Sequence, residues 1–197
     1  MTIRMERLGA KDIRPELLSG FERRQDVKRC WRKDAEGHFV LKDIAYISHW
    51  DGTKKAEIVQ ELRACAEGDG AVVVAYEGDE LAGFGALRPG LFGMTAQYID
   101  MHFLHVSHGA RNRGIGRAIF GELGRIAREM GAEKLYISAH SAEETVAFYQ
   151  KMGCVDALEQ NQALAMEEPC DRQMECPLDA QTIAEMDRIM EMRVSYL

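Results

Sequence analysis

The chain has 197 residues, of which 46% are hydrophobic and 29% charged, and a formal net charge of −7 at pH 7. This length and composition predict one globular domain with a short appendage, and they exclude collagen-like, disordered and disulfide-scaffold proteins. The longest apolar run, Ala71 to Tyr76, is far shorter than the roughly 20 residues of a membrane-spanning helix, so we expect no membrane partner. The net negative charge argues against nucleic acid as a partner.

The five cysteines predict a reducing compartment. Their number is odd, and no two of them have the C-x-x-C spacing that is typical of zinc and redox sites. The amino end, from Met1 to Phe21, mixes basic and acidic residues and lacks the apolar core of a secretory leader. We therefore expect a cytoplasmic protein in which the cysteines serve as small hydrophobic side chains.

Residues 1–70 are predicted to hold two helices around an irregular aromatic stretch. The first helix covers roughly residues 16–33, where the apolar residues at near-helical spacing are Leu17, Leu18, Phe21 and Val27. Its basic residues, interpreted as a solvated helix face, are Arg23, Arg24, Lys28, Arg29, Arg32 and Lys33. In the second helix Ile58, Leu62 and Cys65 recur at i, i+4 and i+7, and Gly68 ends it.

The middle of the chain alternates strands with helices. Two apolar runs, 71–76 and 81–87, are joined by Glu-Gly-Asp-Glu and predict a β-hairpin near the middle of a sheet. A strand over 97–106 precedes an amphipathic helix that Gly131 ends and whose apolar stripe is Ile119, Leu123, Ile126 and Met130. A strand over 134–139 and a helix over 142–152 follow. This order predicts an α/β protein with a mixed central sheet flanked by helices.

The carboxyl-terminal part predicts a closing strand and an added helix. The strand covers 172–178, and Pro177 would confine it to the edge of the sheet. Beyond it, Asp179 can cap a last helix whose apolar stripe is Ile183, Met186, Met190 and Val194. Such a helix packs either within the chain or against a second subunit, which leaves a homodimer open.

The segment from Ser107 to Arg117, between a strand and a helix, predicts a ligand site. Its glycines let the backbone approach a ligand closely, and free amides at a helix amino terminus attract anions. The arginines of this segment add positive charge, so a phosphorylated ligand is indicated, although a glycine turn with surface arginines has the same pattern. A P-loop and a dinucleotide-binding fold are excluded, because the lysine and hydroxyl of the first and the third glycine of the second are missing.

The pattern Arg111-x-x-Gly114-x-Gly116, after an extended Leu104-His105-Val106, resembles the acyl-CoA-binding motif of the GNAT superfamily of N-acetyltransferases. The resemblance implies acetyl-CoA as co-substrate, with loop amides on the CoA pyrophosphate and the strand beside the pantetheine arm. The cofactor-binding residues that it implies are Leu104, His105, Val106, Arg111, Asn112, Arg113, Gly114, Ile115, Gly116 and Arg117.

The stretch from Ala147 to Cys154 is similar to a second signature of the same family. The resemblance implies a single GNAT-like domain over 1–178, with 1–70 as variable substrate-side helices and 71–178 as the acyl-CoA core, followed by a C-terminal helix over 179–197. Two positions depart from the family pattern. Ala142 stands where many members have an asparagine that contacts the cofactor, and Cys154 stands where they have an aromatic residue.

The resemblance assigns protonation of the leaving thiolate to Tyr149, since a phenol with a reference pKa of about 10 stays protonated at neutral pH. The catalytic base remains open between Asp100 and His102, which share one side of their strand if no bulge intervenes. His102 is slightly favoured, because a neutral imidazole accepts a proton near pH 7. Strand alternation places His105 opposite His102, and His108 lies beyond the strand, so no metal site is expected.

Three functions follow as hypotheses. The first is an acetyl-CoA-dependent N-acetyltransferase acting on a primary amine of a small molecule or peptide, with the acidic balance favouring a cationic amine. The second is a non-catalytic acyl-CoA-binding or regulatory module that keeps the loop but not the proton transfers. The third is a dimeric interaction protein that depends on the last helix. The identity of the acceptor cannot be predicted from the sequence.

Overall fold

The structure, a computed structural model, describes residues 3–191 and 194–196. The strands are β1 (Ile3–Arg7), β2 (Arg24–Lys33), β3 (Phe39–His49), β4 (Ala71–Glu77), β5 (Glu80–Leu87), β6 (Tyr98–Val106), β7 (Lys134–Ala139), β8 (Val155–Asp156), β9 (Arg172–Pro177) and β10 (Val194–Tyr196). The helices are α1 (Gly52–Glu67), α2 (Ile115–Glu129), α3 (Glu143–Lys151), α4 (Gln162–Glu167) and α5 (Ala180–Glu191). None of the helices within these residues is long and apolar enough to span a bilayer.

An eight-stranded sheet forms the centre of the fold, in the order β10-β1-β4-β5-β6-β7-β9-β8, and β2 and β3 form a separate hairpin. The sheet is mixed, because β6 runs parallel to β7 and β1 parallel to β10, while the other neighbours are antiparallel. Apolar residues of α2 pack on one side of this sheet and those of α1 on the other. The predicted mixed sheet flanked by helices is confirmed.

Close contact between α2 and the sheet depends on glycines in β5. A Cβ built at Gly83 would lie 2.7 Å from Ile119 Cδ1, and one built at Gly85 would lie 2.7 Å from Leu123 Cδ1. Ile119 and Leu123 belong to the predicted amphipathic stripe and are fully buried. The missing side chains therefore let α2 approach β5, and the loop before α2 is held at the end of β6.

The predicted first helix, residues 16–33, is wrong. The chain makes successive turns over 15–20 and then enters β2, which pairs antiparallel with β3. Val27 and Cys30 are both buried although they lie three residues apart, at a shift in the β2–β3 register, and this spacing also fits a helix. The strand is held by tertiary contacts, since Trp31 N–H donates to the Ser141 carbonyl at 2.8 Å and Arg29 pairs with Glu143 at 2.6 Å.

The description of 1–70 as substrate-side helices needs correction as well. The stretch with Phe39 and Tyr46, expected to be irregular, forms β3. Among the described residues up to 70, α1 is the one α-helix, and it carries the predicted Ile58, Leu62 and Cys65 on its buried side. The region also supplies β1, which no sequence pattern predicted.

The carboxyl-terminal predictions are partly wrong. β9 is not an edge strand, because β8 lies beyond it; Pro177 is tolerated because β8 pairs only with Met174 and Glu175. Asp179 caps α5 as predicted, accepting from Thr182 N–H at 2.8 Å. Val194 lies in β10 rather than in the helix, while the side chain of Met190 lies outside the described residues.

The last helix packs within the chain. A Cβ built at Gly124 of α2 would lie 2.7 Å from Met186 Sδ, and Met186 is buried. Ile183, from the same predicted stripe, is partly buried against the α2 side of the core. The described part of this apolar stripe is therefore covered by α2.

Candidate active site

The central feature of the site is the separation of β6 from β7. The two strands pair only over Tyr98–Asp100 and Lys134–Tyr136. Beyond Asp100, β6 continues to Val106 beside β5, while β7 continues beside β9. Within the described residues, 101–106 therefore has no strand partner on its β7 side. An extended ligand in this opening can bond to backbone groups as an added strand would.

The loop after β6 presents backbone amides at the start of α2. A short 3-10 turn over His108–Ala110 leads to Asn112 and Gly114, which have φ of 62° and 88° in the left-handed region. No side-chain hydrogen bond caps the amino end of α2. The first amides of the helix and its dipole are thus available to an anion at the mouth of the opening.

The three arginines of this loop have different surroundings. Arg111 is half-buried, and its Nε–H donates to the Val106 carbonyl at 3.3 Å. Arg113 pairs with Glu77 at 2.6 Å and donates to the Gly109 carbonyl at 2.7 Å, so it braces the loop against β4. Arg117 is exposed in the first turn of α2.

The remaining predicted cofactor residues contribute mainly backbone. The side chain of Ile115 is buried, so only its amide can face the opening. A Cβ built at Gly116 would make ordinary contacts of 3.4 Å with Val106 and 3.5 Å with Phe148. The structure thus brings the predicted residues from 104 to 117 together around one opening; their role in binding stays a prediction.

Tyr149 lies on α3, next to Phe148, whose ring reaches within 3.5 Å of a Cβ built at Gly116 of α2. Tyr149 is 6% exposed and packs against the rings of Phe148 and Phe120, with centroid distances of 5.2 and 6.3 Å. Burial raises the pKa of the phenol above its ordinary value of 10.0, so it stays protonated at neutral pH. Ala142, which replaces the family's common asparagine, is the N-cap residue of α3 and makes no side-chain cap.

Asp100 and His102 share one side of β6, as predicted, and lie 4.0 Å apart between Oδ2 and Nδ1. Asp100 is the last residue of β6 that pairs with β7, so it marks the apex of the opening. Burial raises the pKa of Asp100 to about 7, although the cation of Arg88, at 3.5 Å, opposes this shift. The carboxyl group is therefore half-ionised near neutral pH.

A β-bulge at His102 changes the faces of the strand. Leu87 pairs with Met101 and Ala86 with Phe103, so His102 is the extra residue. Leu104 and Val106 consequently pack on the α2 side of the sheet, not on the side of Asp100 and His102. The expected alternation along 100–106 is thus wrong beyond the bulge.

The bulge also overturns the expected position of His105. Its ring lies on the α1 side, 4.6 Å from the Trp50 ring and 5.5 Å from that of Phe84, and burial lowers its pKa well below the ordinary value. This is the side on which His102 meets α1. Even so, no group of three histidine, cysteine or acidic side chains suited to a metal ion occurs among the described residues.

His102 is held by partners that the sequence did not indicate. Its Nε2 lies 2.7 Å from Glu61 Oε2 of α1 and 3.3 Å from Arg88 Nη2. Arg88 also pairs with Glu167 of α4 at 2.9 Å. Burial and Arg88 lower the pKa of His102, and Glu61 raises it. No local pattern could have found this group, since its members come from four separate segments.

Comparison with known proteins places the chain in a family. The acetyltransferase (GNAT) family model matches residues 41–154, more than half of the chain. The fold is similar to nourseothricin acetyltransferase, with a TM-score of 0.64 and 18% identity over 91% of this chain and 100% of that one. It is similar to a putative streptothricin acetyltransferase from Bacillus anthracis str. Ames in complex with acetyl coenzyme A, with a TM-score of 0.60 and 15% identity over 89% and 96%.

A third similar structure, with a TM-score of 0.52 and 12% identity over 90% of this chain and 99% of that one, is PaiA N-acetyltransferase from Thermoplasma acidophilum in complex with coenzyme A. A comparison with curated protein sequences gives no match. At these identities the solved structures show the fold alone, and the match over 41–154 shows the family. The chain is therefore an acetyltransferase of the GNAT family.

Proposed function

We propose that the protein transfers an acetyl group from acetyl-CoA to a primary amine of a small molecule or peptide. The observation that carries this proposal is the opening between β6 and β7, which leads directly to the uncapped amino end of α2. The same opening ends at Asp100, beside His102. A binding surface for a thioester cofactor and a group of proton-transfer residues thus meet in one place.

The backbone of 101–106 and the amides of the loop fit the two ends of acetyl-CoA. The unpaired side of β6 suits the amide-containing pantetheine arm, with Leu104, His105 and Val106 as its partners. The amides of Asn112 to Arg117, with the helix dipole, suit the pyrophosphate. When bound, acetyl-CoA supplies the activated acetyl group; the protein supplies orientation and proton transfer.

Tyr149 is the proposed acid. Its raised pKa keeps the phenol proton available at neutral pH, where it can protonate the leaving thiolate of the cofactor. Its packing against Phe148 and Phe120 fixes the ring and so fixes the direction of the hydroxyl. Packing and proton donation are compatible roles for this side chain.

The proposed base is His102, with Asp100 as the alternative. Because Glu61 accepts at 2.7 Å from Nε2, this nitrogen carries the proton, and Nδ1 is left as an acceptor. The lowered pKa of His102 keeps the ring neutral at pH 7. Asp100, with a pKa of about 7, is also able to accept a proton. The two predict different pH profiles, which are given below.

The acceptor is proposed to be cationic. Three carboxyl groups, those of Glu61, Asp100 and Glu167, lie around His102 and outnumber the single cation of Arg88. A protonated amine gains attraction from such a surrounding, while an anionic group is repelled. The names of two similar structures make nourseothricin and streptothricin reasonable first acceptors to test.

The test combines calorimetry with an amine panel. Titration with acetyl-CoA should show saturable binding, and thiol release from acetyl-CoA should depend on an added primary amine. Acetylated product identified by mass spectrometry would establish the nitrogen that is modified. If acetyl-CoA binds, no amine is acetylated, and Tyr149→Phe alters neither acetyl-CoA binding nor thiol release, the chain is instead a non-catalytic acyl-CoA-binding module.

A further inference from the structure

Arg23 stands out among the charged residues because it is buried and incompletely paired. The residue is 8% exposed, and its Nη1 is a buried nitrogen without a hydrogen-bond partner. Its Nη2 donates to Gln25 Oε1 at 3.2 Å, and no carboxylate bonds to it within the described residues. The sequence had placed Arg23 on a solvated helix face; the structure instead buries it at the start of β2.

Arg23 lies beside the carboxyl end of β6, because its neighbour Glu22 donates its N–H to Ser107 Oγ at 3.1 Å and accepts from His108 N–H at 2.8 Å. Burial, and after it the like charge of Arg23, lowers the pKa of His105 on β6 and that of His140, which follows β7. The Cζ of Arg23 lies 5.7 Å from the centre of the Trp50 ring. The cation is thus beside the opening in which the proposed transfer takes place.

A second arginine reinforces the positive charge there. Burial and the neighbouring Arg111 lower the pKa of Arg23 to about 10, while Tyr46 opposes the shift. The side chain nevertheless remains a cation at neutral pH. Glu22 and Asp26 offset part of the charge of Arg111, but no carboxylate bonds to Arg23 within the described residues. An oxyanion beside the buried Nη1 would supply the missing acceptor and relieve the repulsion between the two guanidinium groups.

Resting on the proposed function, we infer that Arg23, with Arg111, forms an anion-binding site that takes an oxyanion of a substrate of the transfer reaction. A carboxylate and a phosphate each present two oxygens that can accept parallel hydrogen bonds from one guanidinium. Two sources fit: a carboxylate on the amine acceptor, and a phosphate of the cofactor. In either case the unpaired Nη1 gains a charged acceptor.

The first source would define the class of acceptor. The acidic side chains lie around His102, and the two arginines lie near His105, three residues further along the same strand. At roughly 3.3 Å per residue, the backbone positions of His102 and His105 are about 10 Å apart. An acceptor whose amine is near His102 and whose carboxylate is near Arg23 would match both charges.

The experiment uses Arg23→Met, which keeps the length of the side chain, and Arg24→Met as its matched control. Arg24 is the first residue of β2, is exposed, and among the described residues pairs with Asp26 two positions away. The dissociation constant of acetyl-CoA is measured by calorimetry. In parallel, the rise of Tm with acetate and with inorganic phosphate is measured in the presence and absence of saturating CoA.

We expect Arg23→Met to weaken the binding of acetyl-CoA, or the binding of the anion that raises Tm, by about tenfold or more. Arg24→Met should leave both the affinity for acetyl-CoA and the anion responses unchanged. A weaker affinity for acetyl-CoA identifies a cofactor phosphate as the oxyanion. Unchanged acetyl-CoA affinity, with loss of the anion response in CoA-saturated protein, identifies an acceptor carboxylate. The inference is overturned if Arg23→Met matches the wild type in acetyl-CoA binding and in both anion responses.

Folding is checked in the same experiment. Removing a buried, unpaired charge should leave Tm unchanged or raise it, and Arg23→Gln serves as a second variant if Arg23→Met unfolds. The proposed function has its own failure, which is the absence of acetyl-CoA binding or acetyl transfer by the wild type. The response to acetate and phosphate does not depend on that result, so the two failures are distinguishable.

Discussion

The two ends of the unpaired part of β6 hold their charges in opposite ways. At the amino end, His102 and Asp100 have ionisable partners from α1, α4 and the end of β5, and Arg88 pairs with both Asp100 and Glu167. At the carboxyl end, Arg23 is buried with its Nη1 unpartnered, near Arg111 and the uncapped start of α2. Under the proposed function, the first end serves proton transfer and the second binds anions.

This difference explains how one strand can serve two substrates. His102 contacts α1 from the side of the sheet that it shares with Asp100, and the strand beyond the bulge keeps one edge open. An acyl group delivered along the open edge would then meet an amine held near His102. The predictions below test each end separately.

The largest effect is expected for Tyr149→Phe, which removes the proposed proton donor but keeps the ring. We expect kcat to fall by about 100-fold to 10,000-fold, with the affinity for acetyl-CoA unchanged. Steady-state kinetics and calorimetry measure the two quantities. Tyr76→Phe, on the distant strand β4, is the control and should keep wild-type kcat. Equal kcat for both variants would remove Tyr149 from the mechanism.

The identity of the base is decided by the pH dependence of kcat. A base works only when deprotonated, so kcat rises with pH through the pKa of that group. If Asp100 is the base, the midpoint lies at about 7; if His102 is the base, it lies below 6.5. We expect the lower midpoint, and a loss of about 100-fold in His102→Gln.

Asp100→Asn is the companion variant in that experiment. It should retain more activity than His102→Gln and keep an acidic limb in its pH profile. The assignment is reversed if Asp100→Asn abolishes the limb while His102→Gln keeps it.

Gly83→Ala tests the packing that holds the carboxyl end of β6 in place. The new Cβ would lie 2.7 Å from Ile119 Cδ1 and 3.1 Å from the backbone oxygen of His105. We expect a loss of about 1–3 kcal/mol in the free energy of unfolding, measured by urea denaturation. Gly52→Ala, where a Cβ meets nothing within 4 Å, is the control and should change stability little. Similar values for the two would show that α2 tolerates displacement from β5.

Glu61→Gln tests the positioning of His102 by α1. The carboxylate raises the pKa of His102, so its neutralisation should move the acidic limb of kcat to lower pH. The amide oxygen of glutamine still accepts from Nε2–H, but as a neutral and weaker acceptor, so kcat should also fall by up to about tenfold while KM for acetyl-CoA is unchanged. Glu57→Gln, which removes an exposed partner of Lys54 on the same helix, should alter neither. A kcat profile that stays in place would make Glu61 a structural residue only.

Local patterns predicted the elements whose period is regular. α2 has an uninterrupted apolar stripe, and β4 and β5 are continuous apolar runs around a short turn, so the sequence defined them well. The short strands β1, β8 and β10 have little hydrophobic pattern of their own. They are stabilised by main-chain pairing with strands that are distant in the sequence, so no local pattern predicts them.

Two wrong predictions, the helix over 16–33 and the face of His105, both arise from irregular strand pairing. The irregular register of the hairpin gave Val27 and Cys30 a helical spacing, and the bulge at His102 broke the alternation that His105 was expected to follow. The position of the loop over 107–117 and that of Tyr149 on a helix could be predicted because their residues are contiguous in two motifs, and their roles stay predictions. Glu61 and Arg23 could not, because their roles arise only from contacts across the fold.

The most direct test of the account is a crystal structure of the protein with bound acetyl-CoA. We predict that pyrophosphate oxygens lie about 3 Å from the amides between Asn112 and Arg117. The pantetheine arm should follow the open edge of β6, and the sulfur should lie next to the hydroxyl of Tyr149. A cofactor bound elsewhere, or one whose sulfur points away from α3, would contradict the account.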